Sequence, residues 1–100
     1  MLLRFKNEYL EDLYFGHPLR GKPRFSHEII KQFKKTILQL ITVDNITELY
    51  RVRNLNFERL NEGYYSVRVN KQYRIILTVD KDDILIEDVL TVEDLSKHYE

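Results

Sequence analysis

Residues 64–80 read YYSVRVNKQYRIILTVD, and this stretch decides the fold. Tyr65, Val67 and Val69 alternate on one side of a first strand, and Tyr73, Ile75, Leu77 and Val79 alternate on one side of a second. A period of two in β-branched and aromatic residues marks strands with one buried face, and the short link makes them an antiparallel hairpin. Residues opposite each other in such a pair point to the same side of the sheet, so the loop must set core residue against core residue. A two-residue Asn70-Lys71 turn sets Val69 against Gln72 and fails. A three-residue loop, Asn70 to Gln72, sets Val69 against Tyr73, Val67 against Ile75, and Arg68 against Arg74 on the opposite face.

Two like charges directly opposite on a sheet disfavour the pairing by about 0.2–1 kcal/mol unless an anion is shared between them. Side by side on the exposed face, the two guanidinium groups match phosphate oxygens with paired donors and stay charged at any relevant pH. The alternative counter-charge is internal: carboxylates of the acidic C-terminal stretch, such as Asp88, Glu93 or Asp94.

Outward from the hairpin, residues 83–92, DILIEDVLTV, supply a third strand. Ile84 and Ile86 continue the core face, Asp88 interrupts it, and Leu85 and Val89 fall on the other side. A bulge near Glu87 and Asp88 repairs the pattern. On the N-terminal side, Leu2 to Phe5 reads as a short strand, and Asn7 caps a brief helix over Glu8 to Phe15 that Gly16 ends. The loop GHPLRGKPRF, residues 16–25, leads to a main helix capped by Ser26, with Glu28 in its first turn. Ile30, Phe33, Ile37, Leu40 and Ile41 form its apolar stripe, and Lys31, Gln32, Lys34, Lys35 and Gln39 face mostly water. Asn45 and Glu48 make a capping-box start for a second helix, which pairs with the first. The expected class is α+β: a short N-terminal strand, a two-helix hairpin, then an antiparallel meander with the helices on its apolar face.

Composition narrows the function classes. One hundred residues, 43% hydrophobic and 12% aromatic, suffice for one compact domain spanning 1–100. The absence of cysteine removes disulfides, thiolate metal sites and a cysteine nucleophile, and fits a reducing compartment; the expected location is the cytoplasm. No stretch approaches 18 apolar residues, so neither a membrane span nor a signal peptide is expected. The net charge of zero is unevenly laid out: residues 1–79 carry 14 Lys and Arg against 8 Asp and Glu, residues 80–100 carry 2 against 8. A body of +6 and a tail of −6 fit either an anionic partner for the body or a tail that neutralises its own body. Three scattered histidines, with acids mainly in turns, show no metal-ligand spacing, and no cofactor is expected.

The order of helix pair, LNFERLNEGYYSVRVNKQYRIILTV, last strand and terminal His-Tyr resembles the RelE/ParE superfamily of toxins. It is most similar to HigB-type toxins, where a hairpin of the form YSIRVNxQYRI recurs and the C-terminus carries a Tyr/His pair. The resemblance spans nearly the whole chain, its specific part is Leu60 to Leu77, and the loop GKPRF before a helix also looks like one branch of the family. It implies a metal-free ribonuclease that cuts messenger RNA, usually in the ribosomal A site, by attack of a ribose 2′-OH on the adjacent phosphate. Its implied partners are the ribosome, mRNA and a cognate antitoxin of helix-turn-helix type that holds it inactive; no membrane is implied.

That chemistry needs a base for the 2′-OH, cations for the developing phosphorane charge and an acid for the leaving oxygen. Arg68 and Arg74 match the motif arginines and take the cationic role. His98 and Tyr99 match the terminal pair in type, but stand as His-Tyr where HigB proteins commonly end Asp-Tyr-His, which leaves the acid/base assignment open between them. His98 titrates near neutrality in its ordinary state and is the better proton carrier; read as a surface residue, it is a histidine on a frayed end. Tyr99 suits stacking on an unpaired base. Arg59 and Lys71, beside the hairpin, are the expected RNA-backbone contacts, and Arg20, Lys22 and Arg24 in the loop are either the same or solvated surface charge. His17 and His27 read as exposed. Lys31, Lys34 and Lys35 read as the outer face of the helix and stay outside the site.

Two other functions share the fold. One is a non-catalytic inhibitor that docks on DNA gyrase, as in the ParE branch. The other is a decayed member that only binds an antitoxin.

Overall fold

The computed structural model describes residues 1–82, 84 and 87–97 of the chain. The elements are β1 (Leu2–Phe5), α1 (Glu8–Phe15), α2 (His27–Thr42), α3 (Ile46–Leu49), a 3-10 turn (Arg53–Leu55), β2 (Glu58–Arg59), a second 3-10 turn (Asn61–Gly63), β3 (Tyr64–Arg68), β4 (Tyr73–Asp82) and β5 (Glu87–Lys97). The class is α+β, with the N-terminal strand, the helices and the antiparallel meander in the order the pattern predicts.

Local chemistry sets the helix boundaries. The Asn7 side chain accepts from Leu10 N at 3.1 Å, Ser26 Oγ from Ile29 N at 3.3 Å, and Asn45 Oδ1 from Glu48 N at 2.9 Å. Each satisfies an N–H that a first helical turn leaves without a partner, an arrangement worth about 1 kcal/mol. Gly16 ends α1 at φ 73°, a left-handed turn that L side chains rarely adopt, and its N–H returns to the Asp12 carbonyl.

Five strands form one sheet in the order β1-β5-β4-β3-β2, with β1 parallel to β5 and the other pairs antiparallel. Val67, Ile75, Leu77, Leu90, Val92 and Leu95 join Leu10 and Leu13 of α1 and Phe33, Ile37 and Leu40 of α2 in a single buried cluster. The helices therefore cover one face, and the face carrying Ser66, Arg74, Ile76 and Ser96 is left to the functional site.

Three details differ from the sequence reading. The helix packed against α2 is α1; the segment capped by Asn45 is a single turn, Ile46–Leu49, after which Val52 and Leu55 reach the core through a 3-10 turn rather than a continued helix. Ile41 is 40% exposed and lies outside the core; it lines an apolar groove with Leu3, Phe5, Tyr14 and Phe15 instead. The bulge sits at Glu93 rather than at Glu87 and Asp88: Ile76 faces Asp94 and Leu77 faces Val92, whereas Glu87 and Asp88 pair regularly with Asp82 and Lys81. The extra residue lets Leu90, Val92 and Leu95 all reach the helix side, and Ile84 is 90% exposed rather than core. Leu85 and Ile86 lie outside the described residues. Among the described residues no helix is long and apolar enough to cross a membrane.

Candidate functional site

The hairpin register is the one the alternation dictates. Val67 faces Ile75 and Arg68 faces Arg74. Asn70 closes the loop: its Oδ1 accepts from both Gln72 N and Tyr73 N at 2.8 Å, while Val69 N and Asn70 N donate to the Tyr73 carbonyl at 2.9 and 3.3 Å. Its Nδ2 donates to Gln32 Oε1 at 2.6 Å, which ties the turn to α2.

Arg74 lies on the open face of the sheet. Its Nη1 donates to Glu58 Oε2 at 3.3 Å and to Ser66 Oγ at 3.4 Å. The cross-strand register makes this possible, because Glu58 of β2 faces Ser66 of β3, and Ser66 faces Ile76, two residues along β4 from Arg74. The Arg74 side chain is 16% exposed and Glu58 48%, so the pair is reachable from solvent on the carboxylate side. A hollow of about 220 Å³ lies over it, lined by Glu58, Leu60, Ser66, Arg74, Ile76 and, from the end of β5, Ser96 and Lys97. An ion pair this open to water contributes about 1 kcal/mol at most, so an incoming anion can compete for the guanidinium. A cation beside a carboxylate can hold an anionic group while the carboxylate takes a proton from a hydroxyl next to that group.

Arg68 does not stand beside Arg74 at the level of side chains. Its Nε donates to the Asn70 carbonyl at 3.2 Å. It lines a different hollow of about 360 Å³, with Gln32, Lys35, Thr36, Gln39, Asn54 and Val69. The physical reason is the edge: β2 begins at Glu58, opposite Ser66, so it does not pair with β3 at Arg68, and a long side chain there is free to leave the face. The expected side-by-side pair is thus a backbone pairing with divergent side chains.

The acidic stretch does not neutralise either arginine among the described residues. Asp88 Oδ2 accepts from Ile46 N at 3.0 Å, Glu93 takes Lys6 Nζ at 3.4 Å and Thr78 Oγ1 at 3.1 Å, and Asp94 Oδ1 accepts from Leu95 N at 2.9 Å. The counter-charge of Arg74 is Glu58, which the sequence pattern passes over because a two-residue strand has no period to read.

The remaining candidates are dispersed. Arg59 is exposed in β2 opposite Tyr65, and Lys71 is exposed in the hairpin loop. Arg20 and Arg24 line a small hollow against α1 with Glu8, Tyr9 and Asp12, and the Arg24 guanidinium lies 4.2 Å from the Tyr9 ring centre. His17 pairs with Asp12 at 3.1 Å. His98 and Tyr99 lie outside the described residues; the residue before them, Lys97, lines the Arg74 hollow.

No protein-family model and no curated protein matches this sequence. Solved structures do. A YoeB/ParE toxin from Agrobacterium tumefaciens superposes with a TM-score of 0.54 at 21% identity, over 99% of this chain and 100% of that one. A YoeB dimer from Staphylococcus aureus gives 0.55 at 22% identity, over 99% and 98%. A YoeB-YefM complex from the same organism gives 0.50 at 22%, over 99% of each chain. These neighbours are of the YoeB kind, whereas the hairpin motif points to HigB-type proteins. At such identities the likeness is one of architecture, and the chain shares the fold of these YoeB/ParE toxin structures.

Proposed function

We propose that residues 1–100 form one toxin domain of a type II toxin-antitoxin pair, a ribonuclease that cuts messenger RNA on the ribosome with Arg74 and Glu58 at its centre. The observation that carries this reading is the 3.3 Å Arg74–Glu58 contact on the open face of the sheet, beneath a hollow large enough for a phosphodiester group. Glu58 takes the proton of a ribose 2′-OH as its oxygen bonds to the adjacent phosphorus. Arg74 holds the negative charge that grows on the non-bridging oxygens. The bond from phosphorus to the 5′ oxygen then breaks, and that oxygen takes a proton from the His98 end of the chain, with Tyr99 stacking on a base. The products are a cyclic 2′,3′-phosphate and a free 5′-OH.

Arg68, Arg59 and Lys71 serve the flanking backbone, where contacts add affinity without choosing a sequence. An antitoxin partner is in keeping with the Staphylococcus aureus neighbour, which is a YoeB-YefM complex. The proposed setting is the cytoplasm.

Primer extension on cellular mRNA after a short expression pulse tests the reading. New 5′ ends with the parent chain, absent with Arg74→Ala and His98→Ala, are expected. Intact RNA accompanied by gyrase-linked DNA breaks contradicts it and selects the gyrase inhibitor; intact RNA and intact DNA select a decayed antitoxin binder.

A further inference from the structure

We propose that the hollow between α2 and the end of β3 is a second RNA subsite, which holds the nucleotide next to the one at Arg74; it rests on the ribonuclease reading. Gln32, Lys35, Thr36 and Gln39 occupy one face of α2 at helical spacing, and Asn54, Arg68 and Val69 close the recess of about 360 Å³ from the other side. No carboxylate lines it. Neither Lys35 nor Arg68 has a carboxylate within ion-pair distance among the described residues, where the pairs are Lys6–Glu93, His17–Asp12, Arg51–Glu48 and Arg74–Glu58. Two cations in an acid-free recess attract an anion.

The rest of the wall says which anion. Gln39 and Asn54 exchange amide hydrogen bonds of 3.1 and 3.5 Å, which leaves each amide a further donor and acceptor. Side-chain amides beside cations fit a nucleotide: the phosphate takes Lys35 and Arg68, and the edge of an unpaired base takes the amides. The frame is already in place. Arg68 Nε is held by the Asn70 carbonyl, and Asn70 in turn by Gln32 of α2.

Position links this recess to the Arg74 hollow. Arg68 and Arg74 face each other across the hairpin, so the two hollows flank one strand end. Since β2 begins only at Glu58, opposite Ser66, it does not pair with β3 beside Arg68, and no β2 residue stands between the two hollows there. A single RNA strand crossing there meets Arg74 with one phosphate and Arg68 with its neighbour. Lys35, set aside in the sequence as an outer-face lysine, thereby becomes a binding residue.

Fluorescence anisotropy with a short single-stranded RNA, fully 2′-O-methylated so that it cannot be cut, measures this subsite apart from cleavage. Lys35→Ala is expected to weaken binding about fivefold and to reduce the salt slope by about 0.7, the value of one phosphate contact on a single strand. Gln39→Ala is expected to weaken binding with the salt slope unchanged. Both should melt at the parent's temperature. If the parent binds RNA and gives new 5′ ends in cells, yet both variants bind as it does, the subsite alone is overturned. If a polyglutamate peptide binds and Lys35→Ala abolishes only that, the recess belongs to an acidic protein segment and the RNA subsite is overturned. A parent chain that neither binds RNA nor yields new ends brings down the ribonuclease reading and the subsite together.

Discussion

Glu58 and Arg74 are 16 residues apart in the chain and meet at 3.3 Å on the face of the sheet that the helices leave uncovered. Nothing local holds them together. The contact exists because β2 lies beside β3 and β3 beside β4, with Ser66 between the two side chains at 3.4 Å from Arg74.

Arg74→Ala is expected to lower RNA cleavage by about 10²-fold or more, the usual cost of removing one donor aimed at developing oxyanion charge. Its effect on stability should stay within about 1 kcal/mol, since the partner Glu58 is 48% exposed and regains water. Cleavage assays beside urea denaturation check this: a variant that loses activity only because it unfolds contradicts the assignment.

Asn70→Ala should destabilise the fold by about 1–2 kcal/mol. The substitution removes an acceptor that serves two backbone N–H groups at 2.8 Å and a donor that reaches Gln32 at 2.6 Å. A shift of the urea midpoint is the readout. Asn70→Asp should recover the part of the loss that comes from the turn, because it keeps the acceptor and loses only the amide donor.

Phe33→Ala should cost about 3–5 kcal/mol, since the ring is fully buried between α2 and the sheet. Leu38→Ala, five residues further on and 57% exposed, should cost under about 1 kcal/mol. Thermal or chemical denaturation of the two variants compares them directly.

The hairpin was legible in the sequence because two independent constraints, side-chain alternation and loop length, admit one register. Helix starts were legible because Asn7, Ser26 and Asn45 each act within three residues of themselves. The length of α3 was not, since a cap reports where a helix begins and not how far tertiary packing lets it run. The bulge escaped for a related reason. Val89 is buried although its alternation with Leu90 puts it on the face away from the helices, so a buried residue on the second face imitated a break in phase. Arg74 was found from its motif, whereas Glu58 could be found only from the sheet order. The divergence of Arg68 depends on where β2 begins, a boundary that two residues of strand do not announce. His98 and Tyr99 lie outside the described residues, so their part in the site rests on the resemblance.

In the proposed reaction Glu58 and Arg74 act on the same phosphodiester. Single-turnover cleavage of ribosome-bound message by Glu58→Gln, which keeps the shape and a hydrogen-bond acceptor but cannot take a proton, tests it most directly. A rate about 10²–10⁴-fold below the parent, with message binding retained, is the expected result for a lost general base. Cleavage at the parental rate would contradict the account.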